Sequence, residues 1–412
     1  MRQGEERDQA PVLDLNAFDD VDRLKDLDRS KFPVLENGKA VFDLESGRYL
    51  KVWQGPQHPG ITGNMSLELV VCGDEIVEAK THVGYLHRGF EKLMERRRYI
   101  QCFPIVCRIC VPEPDFNEYL FAASVEELAG IQAPEKAAWL RCLTLEMARL
   151  TSFLMWIGGM AGSIGQGVIG QWAVTMRDYM LDMFEELSGG RIYHMYIIPG
   201  GVRGDLPKGF KTRMERTLKK VEGVLDDISL SFFNNAVTKM RLNGLVKISP
   251  DIIDEYGVTG PNARASGIKR DVRKDDPYLV YDKLDFDIVT GVEGDAFERM
   301  LVRYKEMRQS VDLIRQMMEG MPAAGDIHTP LPNVLHWKVP EGETYLKAEC
   351  TRGEYGYYMV ADGSEYPRRI YVRGPSYTHA VALFEDLSVG LNIADTAPGL
   401  VSLHTYPPEI ER

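Results

Sequence analysis

The sequence has little positive charge to spare, no long apolar run and no phosphate-binding loop. Each shortage removes a class of function. Lysine and arginine number 49 against 61 aspartates and glutamates, for a formal net charge of −12. A nucleic-acid-binding domain normally carries a basic face, so no nucleic-acid partner is expected. No stretch reaches the ~20 uninterrupted apolar residues of a membrane span. The nearest, Phe153 to Ile169, is broken by Gly158, Gly159, Gly162, Gly165 and Gly167 and carries Ser163 and Gln166. It is expected to be a closely packed helix inside protein. No Gly-rich phosphate loop stands between a strand and a helix, which argues against flavin or nicotinamide binding by this chain. The first residues, Met1-Arg2-Gln3-Gly4-Glu5-Glu6-Arg7, are polar and charged, unlike a secretory leader. Of six cysteines only Cys107 and Cys110 have diagnostic spacing. Dispersed thiols suit a reducing, cytosolic setting rather than a disulfide framework.

What is present is ample for a large core: 412 residues, 44% of them hydrophobic. Residues 1–46 are charged and weakly patterned and are expected to be an extension, with one domain over 47–412. From 49 to 80 the chain reads as strands, with Met65 to Val71 partly alternating and Cys72-Gly73-Asp74-Glu75 as a turn. The region from about 90 to 320 reads as helical. Pro134-Glu135 makes a good first turn, because Pro costs no needed N–H there and Glu complements the dipole. Trp139, Leu143, Met147, Leu150 and Leu154 then recur at helical spacing, as do Phe297, Leu301, Tyr304, Val311, Ile314 and Met318. About 340–412 reads as mixed, with a strand at Tyr355 to Val360 ending in an Asp362-Gly363 turn. The expected class is mainly α with small β parts, an α+β fold built on a helical bundle.

Cys107-Arg108-Ile109-Cys110 can bind a metal, exchange disulfides or simply be buried. Arg108, with Arg88 and Arg96 to Arg98 upstream, is expected to favour a thiolate if folding brings these charges near. His58 lies in a breaker-rich loop, where a turn-bonding role is favoured. His87 and Arg88 precede a helical run and could cap a carbonyl, pair with Glu91 or Glu95, or face a negatively charged cluster. Arg264-Ala265-Ser266-Gly267, followed by Arg270, Asp271, Arg273 and Lys274, reads as a solvated loop, although Gly260-Pro261 also permits a tight internal turn. Asp362-Gly363-Ser364 and Arg373-Gly374-Pro375 are turn chemistry only.

Taken in order, these segments carry a resemblance. Gly55-Pro56-Gln57-His58-Pro59, Gly84 through Leu93, Gly260-Pro261-Asn262-Ala263-Arg264-Ala265-Ser266-Gly267, Asp271 through Tyr278, Gly353-Glu354-Tyr355-Gly356 and Asp362-Gly363-Ser364 follow one another along the chain. From about Trp53 to Arg412 the sequence resembles the large subunit shared by membrane-bound NiFe hydrogenases and complex I. The hydrogenase branch needs a second Cys-x-x-Cys pair near the C-terminus. Those positions fall on Tyr406 and Glu409, and the preceding Asp-Pro falls on His404-Thr405. The Arg before the first pair falls on Ile105, and the His after it on Pro114. Complex I lacks both pairs, and its quinone-contacting His and Tyr fall here on Thr62 and Val111.

The chain is therefore most similar to an intermediate branch, the large subunit of the archaeal membrane-bound sulfane sulfur reductases. The resemblance implies an oxidoreductase subunit that passes electrons from ferredoxin to sulfane sulfur or polysulfide. Cys107 and Cys110 would be its catalytic dithiol. His87 and Arg88 would line the wall facing a 4Fe–4S cluster held by an iron–sulfur small subunit. No cofactor is expected on this chain alone, and no NiFe centre. Further implied partners are a complex I-like accessory hydrophilic subunit and membrane-embedded ion-translocating subunits. The implied location is peripheral, on the cytoplasmic face of the cell membrane. A quinone or methanophenazine reductase and a non-catalytic redox scaffold are the alternatives.

Overall fold

The computed structural model describes residues 29–32, 35–36, 39–40, 42–58 and 64–412. Most of the expected extension, and Thr62, lie outside the described residues. Near the N-terminal end, strands Tyr49–Gln54, Ser66–Cys72 and Glu75–His82 form an antiparallel sheet in that order. The Cys72-Gly73-Asp74-Glu75 turn closes its hairpin, with Gly73 in the left-handed region that the turn requires. A second antiparallel sheet is built from Gly342–Cys350, Gly353–Ala361 and Pro367–Arg373, with Gly353–Ala361 in the middle.

Between the sheets lies the helical body. Glu135–Ser163, Gly167–Ser188, Phe210–Ile228 and Ala296–Gly320 pack as a ring of four long helices. The helical periodicity explains the packing: Trp139, Leu143, Met147, Leu150 and Leu154 are all buried. The apolar stretch after Phe153 behaves as its glycines suggest. A Cβ on Gly170 would sit 2.9 Å from the Gly158 carbonyl, so two glycines set the approach of neighbouring helices. Among the described residues no helix is long and apolar enough to cross a membrane. The Pro114–Ala129 helix lies against the second sheet and carries residues of both the core and the site. The architecture is mainly α with small antiparallel sheets, as the patterning implied.

The polar run after Gly260 is not a solvated loop. Arg264, Asp271 and Arg273 are buried. Arg264 bonds Glu349 at 2.6 Å and Glu306 at 2.8 Å, and Arg273 bonds Asp271 at 2.7 Å and Glu146 at 3.1 Å. The tight-turn alternative holds because Gly260, at φ 70°, comes into backbone contact with Gly353. A side chain at either position would push the two segments apart.

Glu146 is the hub of this interior network. It accepts from Arg149, Arg273, Tyr281 and Ser310. Burial alone would raise its pKa, but Arg149 and Arg273 outweigh burial and hold it down to about 2. A depressed carboxylate stabilises the fold above its ordinary value of 4.5, and that contribution disappears as pH falls through about 2. Glu146→Gln should therefore destabilise the protein by about 3–5 kcal/mol at neutral pH, because it strands two buried guanidinium groups. The loss should shrink as pH falls from 4.5 towards 2. Denaturant titrations at several pH values check both the size and the trend.

Candidate functional site

The two thiols sit at a helix end and in the short loop that follows it. Tyr99–Val106 is helical, Cys107 is its C-terminal cap, and Cys110 follows just before the Pro114–Ala129 helix. Both cysteines are fully buried. Each sulfur has its own guanidinium. Arg108 Nη1 donates to Cys107 Sγ at 3.3 Å, and Arg352 Nη2 donates to Cys110 Sγ at 2.9 Å. Arg352 comes from the turn joining Gly342–Cys350 to Gly353–Ala361.

Arg352 is also clamped by two carboxylates. It donates through Nη2 to Glu113 at 2.7 Å and through Nε to Glu409 at 2.8 Å. Glu113 in turn accepts from the Thr351 amide at 3.1 Å, and Glu409 from the Ser376 amide at 3.0 Å. Gly374, which sequence reading assigned only to a turn, gives Glu409 its room: a Cβ there would overlap the Glu409 side chain. The aromatic wall consists of Tyr355 and Tyr357, which both donate to Asn117 Oδ1, and of Tyr406 beneath the Arg352 guanidinium.

Opposing fields act on the thiols. Burial pushes Cys107 up to about 12, Glu118 adds to this, and Arg108 pulls only partly the other way. Its place at a helix C-terminus also disfavours negative charge. Burial raises Cys110 as well, against Arg352, with Glu409 and Glu113 on the side of burial. Arg108 favours the thiolate as its position suggested, but it does not decide the balance. Arg108 and Arg352 pull the thiols down, but desolvation, together with Glu118, Asp115, Glu409 and Glu113, outweighs them.

Arg88 does reach the thiol loop. It donates to the Arg108 carbonyl at 2.7 Å, to the Ile109 carbonyl at 3.4 Å and to the Pro408 carbonyl at 3.3 Å. Of the readings open for it, carbonyl capping is the one observed. His87 stands further out and pairs its Nδ1 with the Glu411 carbonyl at 2.7 Å. It lines a surface cavity of about 210 Å³ with Glu91, Lys92, Arg369, Glu411 and Arg412. Arg352 and Glu113 escaped sequence reading because neither carries a motif and their pairing spans more than 200 residues. The one available signal was an arginine in a hairpin turn whose flanking strands are apolar.

A binuclear metal centre does not fit these side chains. Two thiols are available, not four. Tyr406 and Glu409 occupy the other positions, Glu409 is already bound to Arg352, and a guanidinium sits at Cys110 Sγ. Among the described residues no group of three or more His, Cys, Asp or Glu side chains is disposed to hold a metal ion.

This fold and site define a large subunit of a respiratory redox complex. The comparisons give the family. The model of the respiratory-chain NADH dehydrogenase 49 kDa subunit matches residues 163–338 and 331–412. An NADH-quinone oxidoreductase subunit of Thermosipho melanesiensis is 43% identical over 365 residues, covering 88% of this chain and 99% of that one. An F(420)H(2) dehydrogenase subunit of Methanosarcina mazei is 37% identical over 372 residues, covering 90% and 99%. A chain in the structure of the membrane-bound sulfane sulfur reductase, an archaeal respiratory membrane complex, superposes with a TM-score of 0.86 at 42% identity, covering 89% and 99%. The chain belongs to the 49 kDa subunit family.

The burial of the dithiol sets a reactivity expectation. A thiol with a pKa near 12 is ionised in only about one molecule in ten thousand at pH 8. Iodoacetamide at pH 8 should leave Cys107 and Cys110 unmodified in the folded chain and alkylate both in denaturant, as read by peptide mass spectrometry. Rapid labelling of the folded protein would show that burial does not hold these thiols protonated and closed to reagent.

Proposed function

We propose that this chain is the catalytic large subunit of a sulfane sulfur or polysulfide reductase, with Cys107 and Cys110 as the dithiol. The observation that carries this reading is the pairing of each sulfur with a guanidinium N–H. Sulfur exchange develops negative charge on the attacking and departing sulfurs, and Arg108 and Arg352 are placed to receive it at both ends. In the resting chain the thiols stay protonated, so a proton must leave as attack begins. The carboxylates closest in field to Cys110 are Glu409 and Glu113, the acceptors available to it.

One thiolate attacks a sulfane sulfur, the S–S bond breaks, and a shortened polysulfide anion departs with the bonding pair. The persulfide left on the first cysteine is then attacked at its inner sulfur by the second thiolate. This gives a Cys107–Cys110 disulfide and hydrosulfide. Two electrons and two protons restore the dithiol. A 4Fe–4S cluster in a small subunit, reached from ferredoxin, would supply the electrons. Arg88 fits this arrangement as the residue that fixes the thiol loop against the C-terminal segment, with His87 on the outer side facing that subunit. The accessory hydrophilic subunit and the ion-translocating membrane subunits complete the proposed complex, which holds the chain peripherally on the cytoplasmic face.

A quinone-type acceptor is the competing reading. It has support in the NADH-quinone oxidoreductase relatives, but Val111 offers no hydroxyl to a quinone head group. The purified complex should reduce polysulfide to sulfide with reduced ferredoxin, should contain no nickel, and should lose at least about 100-fold in rate with Cys107→Ser or Cys110→Ser while still assembling. Full sulfide production in both variants, or turnover of a quinone analogue untouched by them, would replace this reading with the quinone one.

A further inference from the structure

At and around Arg352 lies a cluster of buried nitrogen atoms that the dithiol chemistry does not use. Arg303 Nε, Arg352 Nη1, His379 Nε2 and His404 Nδ1 have no hydrogen-bonding partner in the protein. Arg303, Arg352 and His379 are fully buried, and His404 is 8% exposed.

Their backbone and side-chain connections place them around one point. Asn262 Oδ1 accepts from Arg303 Nη2 at 2.8 Å. Its amide nitrogen lies 3.1 Å from His379 Nδ1 and donates to the Leu403 carbonyl at 2.9 Å. Leu403 precedes His404, whose ring bonds the backbone of Thr351, the neighbour of Arg352. Trp156 forms a shared wall, with the Arg303 guanidinium 4.7 Å and the His404 ring 5.2 Å from its ring centre.

The chemistry of these atoms is that of donors. Asn262 donates to His379 Nδ1, so the proton of that neutral ring sits on Nε2 and points at no acceptor. Arg303 Nε and Arg352 Nη1 can only donate.

The charge balance runs the same way. The partners of Arg303 are neutral oxygens of Arg299, Ser402, Leu403 and Asn262. Those of Arg299 are the Ser402 hydroxyl and the carbonyls of Val246, Gly294 and Leu245. Glu306 and Asp295 offset part of this charge, Glu306 with one oxygen bonded to Arg264 at 2.9 Å and Oε2 without a partner, and Glu113 and Glu409 offset Arg352. The field is felt by the imidazoles: burial and then Arg303 hold His379 down to about 3 and push His404 the same way. An unpaired buried donor costs free energy until something accepts from it. Three of them in one buried cluster, beside the Arg299 and Arg303 guanidinium groups that only neutral oxygens bond, form a site for a negative guest.

We propose that Arg303, Arg352, His379 and His404 form an interior binding site for a small monovalent inorganic anion, a halide or hydrosulfide. This site stands whether or not the dithiol reduces sulfur. Arg352 joins the two, offering Nη2 to Cys110 and Nη1 to the anion.

The test uses the assembled complex and thermal unfolding at constant ionic strength. Sodium bromide and sodium hydrosulfide are each compared with sodium fluoride, whose anion is too strongly hydrated to enter. The expected result is a saturable rise of a few degrees in the unfolding midpoint with bromide, hydrosulfide or both, and the larger shift identifies the resident anion. His404→Asp places a carboxylate in the site and should abolish that response. Asn262→Asp does the same from the opposite side if the first variant fails to assemble. Anomalous scattering from bromide-soaked crystals of the complex should peak within hydrogen-bonding distance of Arg303 Nε and Arg352 Nη1. The proposal is overturned by equal midpoints in all three salts, by an undiminished response in a carboxylate variant that assembles, or by ordered water alone at that point.

Discussion

One guanidinium organises the site. Arg352 is fully buried and bonds Glu113, Glu409 and Cys110 at once, so it ties the thiol loop, the hairpin of the second sheet and the C-terminal segment to one another. Two buried carboxylates next to a thiol would be untenable without it, since removing one partner of a buried pair costs about 3–5 kcal/mol. The same arrangement bears on the chemistry proposed for the dithiol. A cation at 2.9 Å from Cys110 Sγ is a poor neighbour for a metal ion and a good one for a sulfur anion. The thiols are held protonated until charge develops, which suits exchange with an anionic substrate better than permanent nucleophilicity.

That local clamp belongs to a wider habit of this interior. Among the described residues, seven arginines are almost completely buried; five meet carboxylates, and Arg264, Arg273 and Arg352 draw theirs from distant parts of the chain. Arg264, Arg273 and Arg149 share Glu146, Asp271, Glu306 and Glu349 in one network. Such pairs add little net stability over apolar packing, but each breaks at high cost when one partner is lost. They act as register pins for the short segments between the long helices. Arg299 and Arg303 depart from the pattern, because only neutral oxygens bond them.

The elements were legible where local patterning decides structure. The hairpin at Gly73, the strand through Tyr355 and the buried stripe from Trp139 to Leu154 follow from alternation, helical spacing and turn residues. The dithiol was legible from its spacing, and Arg88 from its position before it. What escaped depends on contacts far apart in sequence. Glu113 and Arg352 are 239 residues apart, and nothing near either one signals the other. The charged run after Gly260 looks solvated in one dimension and is buried in three, because its partners Glu146, Glu306 and Glu349 lie elsewhere. The balance of fields on the thiols was hidden for the same reason: the arginines were visible nearby, whereas burial and the placement of Glu118, Glu113 and Glu409 come from packing.

The central claim is that Cys107 and Cys110 carry sulfur during turnover. It is tested most directly by quenching the complex at work on polysulfide with an alkylating agent in acid denaturant and mapping the thiol peptide by mass spectrometry. The account predicts a fraction of chains with one added sulfur atom on Cys107 or Cys110, or with the two joined as a disulfide, and neither species when the electron donor is present without polysulfide. Free, unmodified thiols throughout steady sulfide production would contradict it.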